Sequence, residues 1–285
     1  MQARPERFST PCLGGLRLQA AHWGREEAPT LVLLHGGGAN LHWWDHLAPE
    51  LARGFHVVAL DFRGHGDSDH PEALEVGAFD RDLEALQRHL GAPEFALVGH
   101  SMGAHVALRH AATRPSVRKL VLVEPSVGAA RRERRRSRLA LAARRSYATR
   151  ADALARYRFV PATPGAPESL RAAIAEHSIR REDDGRFAFK FDPRWFGLPA
   201  PEAPRLSDIR CPCLVVRGAD STLLPSAGAR ELVEQLPHAQ LAEIPGGSHN
   251  VHLEEPAAVL EAMRVHLDGP ADLPGPPPTP LEARE

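Results

Sequence analysis

Cysteine, long apolar runs and a surplus of charge of either sign are all scarce in this 285-residue chain, and each scarcity excludes something. Of the three cysteines, Cys211 and Cys213 flank Pro212, too close together for an ordinary structural bridge and without zinc-ligand spacing. They read as buried thiols, and with Cys12 they make neither a disulfide framework nor a cysteine metal centre. No stretch approaches the run of about 20 apolar residues that crosses a bilayer. The segment from Met1 to Leu18 carries Arg4 and Arg7 without a continuous apolar core, so neither a signal peptide nor a membrane span is expected. A reducing cytoplasm is the expected compartment. The formal charge of -1 removes the electrostatic reason to expect nucleic acid or an acidic membrane surface as partner. A small neutral or weakly charged molecule is expected instead.

With 43% hydrophobic residues, the chain can bury one large core and still carry an insertion. Apolar, β-rich runs bounded by turn residues recur at Leu31–Leu34, Phe55–Leu60, Phe95–Val98, Leu120–Val123, Leu214–Val216 and Leu241–Ile244. Helical patterning separates most of them. This alternation predicts an α/β fold, a mostly parallel, doubly wound sheet with helices on both faces. Leu16–Trp23 alternates in places and is suited to antiparallel edge strands.

The regular spacing breaks once, between Pro125 and about Pro204, which marks an inserted cap over residues 127–205 and leaves 1–126 and 206–267 as the core. One or two helices are expected from Arg131 through Arg158, then an irregular stretch from Phe159 to Pro167 and another helix over Glu168–Ile179. The Pro-rich tail, 268–285, is expected to be disordered.

The segment Gly99-His100-Ser101-Met102-Gly103 has the form Gly-x-Ser-x-Gly. Among 13 serines and 23 glycines such a match arises by chance about one time in twelve. Its surroundings raise its weight, because a short apolar strand precedes it and a helical pattern follows. A strand, a sharp turn and a helix are what a nucleophile elbow requires, with glycine at both flanks to avoid collisions at the turn. The helix that starts after Ser101 directs its dipole at a developing oxyanion, and the Met102 amide is the expected first donor.

Several segments in order and spacing resemble the α/β-hydrolase superfamily: Leu33-Leu-His-Gly-Gly-Gly38, Asp61-Phe-Arg-Gly-His-Gly-Asp-Ser68, Gly99–Gly103, Val215-Val-Arg-Gly-Ala-Asp220 and Ile244-Pro-Gly-Gly-Ser-His249. The resemblance implies an eight-stranded sheet with an inserted helical cap, a cofactor-free serine hydrolase mechanism and no metal. His249, after the last strand, then stands where the family carries its catalytic histidine. Asp220, just beyond the strand Cys213–Arg217, gives the chain order Ser, Asp, His, with Glu124 after the preceding strand as the alternative acid. The second oxyanion donor is expected at the Gly37 amide, with Gly38 next. His35, Arg63, His65, Asp67 and Ser68 are read as loop-stabilising residues.

His42 and His46, at i and i+4, raise a metal alternative, but Trp43 and Trp44 lie between them and the zinc-protease glutamate is missing. The Arg131–Arg136 run reads as a solvated lid face that could alternatively bind an anion. The expected reaction is hydrolysis of a small carboxylic ester or lactone through an acyl-enzyme. The resemblance also permits carbon–carbon bond hydrolysis, perhydrolysis or haloperoxidase activity, and a ligand-binding receptor with a retained triad is the alternative from another class.

Overall fold

The computed structural model describes residues 5–126 and 145–269. The expectations for Arg131–Arg136 and for most of the 268–285 tail lie outside them. Eight strands form the main sheet, numbered here along the chain: β1 Arg7–Ser9, β2 Ala20–Trp23, β3 Thr30–Leu34, β4 His56–Leu60, β5 Phe95–His100, β6 Val117–Val123, β7 Cys213–Gly218 and β8 Ala239–Ile244. Their spatial order is β1-β2-β4-β3-β5-β6-β7-β8, antiparallel at β1, β2 and β4 and parallel from there to β8. All six apolar runs are strands of this sheet, and the Leu16–Trp23 stretch contributes β2. Leu16–Arg17 pairs instead with Cys12–Leu13 in a separate ribbon.

Period-2 alternation sends neighbouring strand residues into two different cores. In β3, Val32 and Leu34 join one cluster with Leu83, Leu86 and Ala107, from the helices Ala78–Leu90 and Met102–Thr113. Leu31 and Leu33 join the other with Trp44, Leu47, Val259 and Met263. Covering helices on both faces explain why these strands read as continuous apolar runs. Among the described residues no helix is long and apolar enough to cross a membrane.

Among the described residues, no segment between β6 and β7 joins the main sheet. This part of the chain contains the helices Arg150–Arg156 and Glu168–His177, a 3-10 turn at Pro193–Gly197 and a small antiparallel sheet of Ser146–Tyr147, Phe187–Phe189 and Ile179–Arg181. Nothing in the sequence announces that sheet, because strands of two or three residues are too short to show an alternation. The helix expected over Glu168–Ile179 stops at His177, and Ile179 begins a strand. A third apolar cluster joins this insertion to the core: Leu170 and Ile174 pack with Ala39, Trp43 and Leu253.

The turn after β4 is held by groups expected to stabilise loops. Buried Arg63 bonds Asp82 through its Nε at 2.7 Å and its backbone amide at 3.0 Å. Ser68 Oγ donates to the Asp61 carbonyl at 2.6 Å, and the Asp61 carboxylate accepts the Leu41 amide at 2.6 Å and the Asp67 amide at 2.9 Å. Truncating one partner of a buried ion pair strands the other. Asp82→Ala is therefore expected to cost about 3–5 kcal/mol of stability, read by chemical denaturation; an unchanged midpoint and slope would show that Arg63 finds other acceptors.

Candidate active site

β5 ends at His100, and the chain reverses at Ser101 with φ 50 and ψ -109, a conformation that L-residues adopt only under constraint. The crowding that imposes it is local. A Cβ on Gly99 would lie 2.6 Å from the Ala104 nitrogen, and one on Gly103 would lie 2.7 Å from the His35 carbonyl oxygen. Only glycine fits at either flank. The helix Met102–Thr113 starts directly afterwards; its Ala104 and His105 amides bond the Ser101 carbonyl, and the Met102 and Gly103 amides ahead of them have no acceptor within the helix.

His249 arrives on the loop between β8 and the short helix Val251–Glu254. Its Nε2 lies 3.0 Å from Ser101 Oγ, and its carbonyl accepts a hydrogen bond from His100 Nε2 at 3.0 Å. The ring's other nitrogen, Nδ1, lies 3.1 Å from Glu124 Oε2. Ser101, His249 and Glu124 thus form one continuous chain of polar contacts, and the expected Asp220–His249 contact is not formed.

Asp220 is exposed, while its backbone amide donates to the Gly247 carbonyl at 2.9 Å. The strand β7 and the His249 loop touch so closely at Gly218 that the following turn directs Ser221 inward and Asp220 outward. Glu124, directly after β6, has φ 51 and no exposed surface. Its Oε1 accepts the Gly218 amide at 2.7 Å, and its Oε2 accepts the Ser221 hydroxyl at 2.6 Å. Burial pushes the Glu124 carboxyl up, while the Ser221 hydroxyl, the Gly218 amide and the Arg217 charge oppose the rise. Donors converging on both oxygens favour the carboxylate without cancelling the rise, which leaves the group at about 8.

The loop after β3 brings the glycine run beside the elbow. A Cβ on Gly36 would lie 2.7 Å from His100 Nδ1, and one on Gly37 would lie 3.0 Å from the ring of Phe196 in the insertion. His35 holds this loop rather than moving protons: its Nδ1 donates to the Gly36 carbonyl at 2.7 Å and its Nε2 accepts the Phe62 amide at 3.2 Å. Burial sets its pKa well below the usual histidine range.

His42 and His46 do not converge, because the 3-10 helix Leu41–Trp44 ends before a second turn can align them. His46 Nε2 instead bonds the His252 carbonyl at 2.7 Å. Trp43 packs against Phe159 and His100 near the elbow. Of the aromatic residues of the insertion, Tyr157 and Phe159 pack with this Trp43 cluster, whereas Tyr147 packs on Phe189 and Trp195 on Phe79.

Two buried groups beside the site were not expected from the sequence. Asn250 donates to Thr163 Oγ1 at 2.6 Å and to the Pro161 carbonyl at 3.2 Å, tying the His249 loop to the insertion. Glu254 accepts the Ser248 amide at 2.6 Å and raises the His249 pKa through its charge. Their only signal was proximity to His249.

A family model described as the Alpha/beta hydrolase family matches residues 31–262. The chain belongs to this family. The hydrolase is 30% identical over 264 residues to an esterase of Mycobacterium tuberculosis (Rv0045c), covering 88% of this chain and 86% of that protein. It is 28% identical over 251 residues to 2-(acetamidomethylene)succinate hydrolase of Mesorhizobium japonicum, covering 84% and 88%. A crystal structure of E-2-(acetamidomethylene)succinate hydrolase superimposes with a TM-score of 0.79 at 24% identity, covering 92% of this chain and all of that one, a likeness of fold.

Burial lowers the His249 pKa from its ordinary 6.5 to about 4, partly offset by Glu254. An imidazole must be unprotonated to take a proton from Ser101, so activity is retained above this pKa and lost as pH falls through it. The acid limb of kcat/KM for an uncharged ester is expected below 6.5, and Glu254→Gln is expected to move it lower still. A limb at or above the ordinary histidine value would place the titration on the Glu124 carboxyl, which burial raises, instead of on His249.

Proposed function

We propose that this hydrolase cleaves a small carboxylic ester or lactone through an acyl-enzyme, with Ser101 as nucleophile, His249 as general base and acid, and Glu124 as the triad acid. The observation that carries the reading is the contact chain of 3.0 Å from Ser101 Oγ to His249 Nε2 and 3.1 Å from His249 Nδ1 to Glu124. Ser101 Oγ attacks the carbonyl carbon while His249 Nε2 takes its proton, and Glu124 orients the ring and stabilises the imidazolium. The Met102 and Gly37 amides are assigned to the oxyanion. Collapse of the tetrahedral intermediate breaks the ester bond, with His249 returning the proton to the leaving oxygen. Water then attacks the acyl-enzyme by the same route.

The esterase relative supports ester chemistry. The insertion, 127–205, is assigned as a lid that limits substrate size, a role supported by the approach of Phe196 to Gly37 and by the bonds from Asn250. The substrate is a small molecule, with neither nucleic acid nor a membrane surface as partner.

Glu124→Gln would present an amide donor to Nδ1 and favour the wrong tautomer. Its kcat on p-nitrophenyl esters is expected to fall on the order of 10⁴-fold, while Asp220→Asn stays near wild type. The reverse ranking would return the role to Asp220.

A fluorophosphonate probe is expected to label the wild-type chain once and to leave Ser101→Ala unlabelled. Absence of both labelling and turnover over a panel of esters and lactones would favour a ligand-binding receptor.

A further inference from the structure

His42, Asp45 and His177 bring three donor atoms within 4.8 Å of one another. The first two lie on the core segment that follows the oxyanion loop, and the third ends the insertion helix Glu168–His177. His42 Nδ1 lies 2.8 Å from Asp45 Oδ2, and both side chains are buried. Asp45 Oδ1 is also buried, yet it has no hydrogen-bond partner. An unpartnered carboxylate oxygen at 5% exposure is costly unless a cation or donor reaches it.

His177 completes the set from the solvent side. Its ring stacks on His42 with centroids 3.8 Å apart and planes inclined by 18°.

We propose that His42, Asp45 and His177 form a divalent transition-metal site that clasps the insertion to the core. Two imidazoles and one carboxylate are a borderline donor set that suits Zn²⁺, with water in the fourth position on the exposed His177 side. Tetrahedral bonds of about 2 Å place donors about 3.3 Å apart. A turn of the exposed His177 ring out of its stack supplies its approach, and exchange of the His42–Asp45 hydrogen bond for two metal bonds opens their 2.8 Å separation to that spacing. Ligation through His42 Nδ1 replaces its hydrogen bond to Asp45, the ring proton moving to Nε2, and no oxidation or reduction is involved. Neighbouring contacts make the clasp mechanical: Asn40 donates to Ser178 Oγ at 3.0 Å, and Trp43 packs against the same helix in the third apolar cluster.

Zn²⁺ titrated calorimetrically into the chelator-treated full chain is expected to bind at one equivalent. His177→Ala, an exposed position that leaves the core untouched, is expected to weaken this binding at least about tenfold. In the wild type Zn²⁺ is further expected to raise Tm and to slow hydrogen exchange in both Leu41–Trp44 and Glu168–His177, effects absent from His177→Ala. No binding, or equal affinity and equal protection in the two proteins, would overturn the site and assign any bound ion to other histidines.

Discussion

The arrangement of the candidate site depends on how one buried carboxylate is satisfied. Glu124 has no exposed surface, and removing a charge from water is tolerable only where donors replace the lost hydration. Its donors come from three places: the end of β7 at Gly218, the turn beyond it at Ser221 and the loop after β8 at His249. One side chain therefore holds two strand ends and the imidazole in register. The left-handed backbone at Glu124 and at Ser101 marks the two points where the sheet hands the chain to the site.

Close backbone approach is the second requirement. Gly99, Gly103 and Gly218 lie where strand ends and loops come nearer than a side chain permits. The first two let the elbow expose Ser101, and the third brings the His249 loop against β7. The geometry of the candidate site is a result of chain packing as much as of the side chains that meet there.

The insertion is attached by different physics. Its apolar faces meet Trp43 and Leu253, and its polar ties run from Asn40 and Asn250, residues adjoining the glycine loop and His249 respectively. The insertion is thus tied to both walls of the candidate site. His42, Asp45 and His177 lie on the same seam, where an ion would add strength in a place that already joins the insertion to the core.

The strands, the elbow and the pairing of Ser101 with His249 were legible in the sequence because their signals are local. Apolar runs, flanking glycines and a histidine after the last strand each act within a few residues. The small sheet of the insertion was not legible, because its strands are too short to carry a period. Nor was the partnership of His42 with His177, which lie far apart along the chain and meet only through the packing of the insertion on the core. The sequence placed Glu124 and Asp220 at neighbouring strand ends and could rank them only by chain order. Tertiary structure decided between them geometrically: the tight approach at Gly218 turns Ser221 inward and Asp220 outward, so Glu124 is the carboxylate that meets the imidazole.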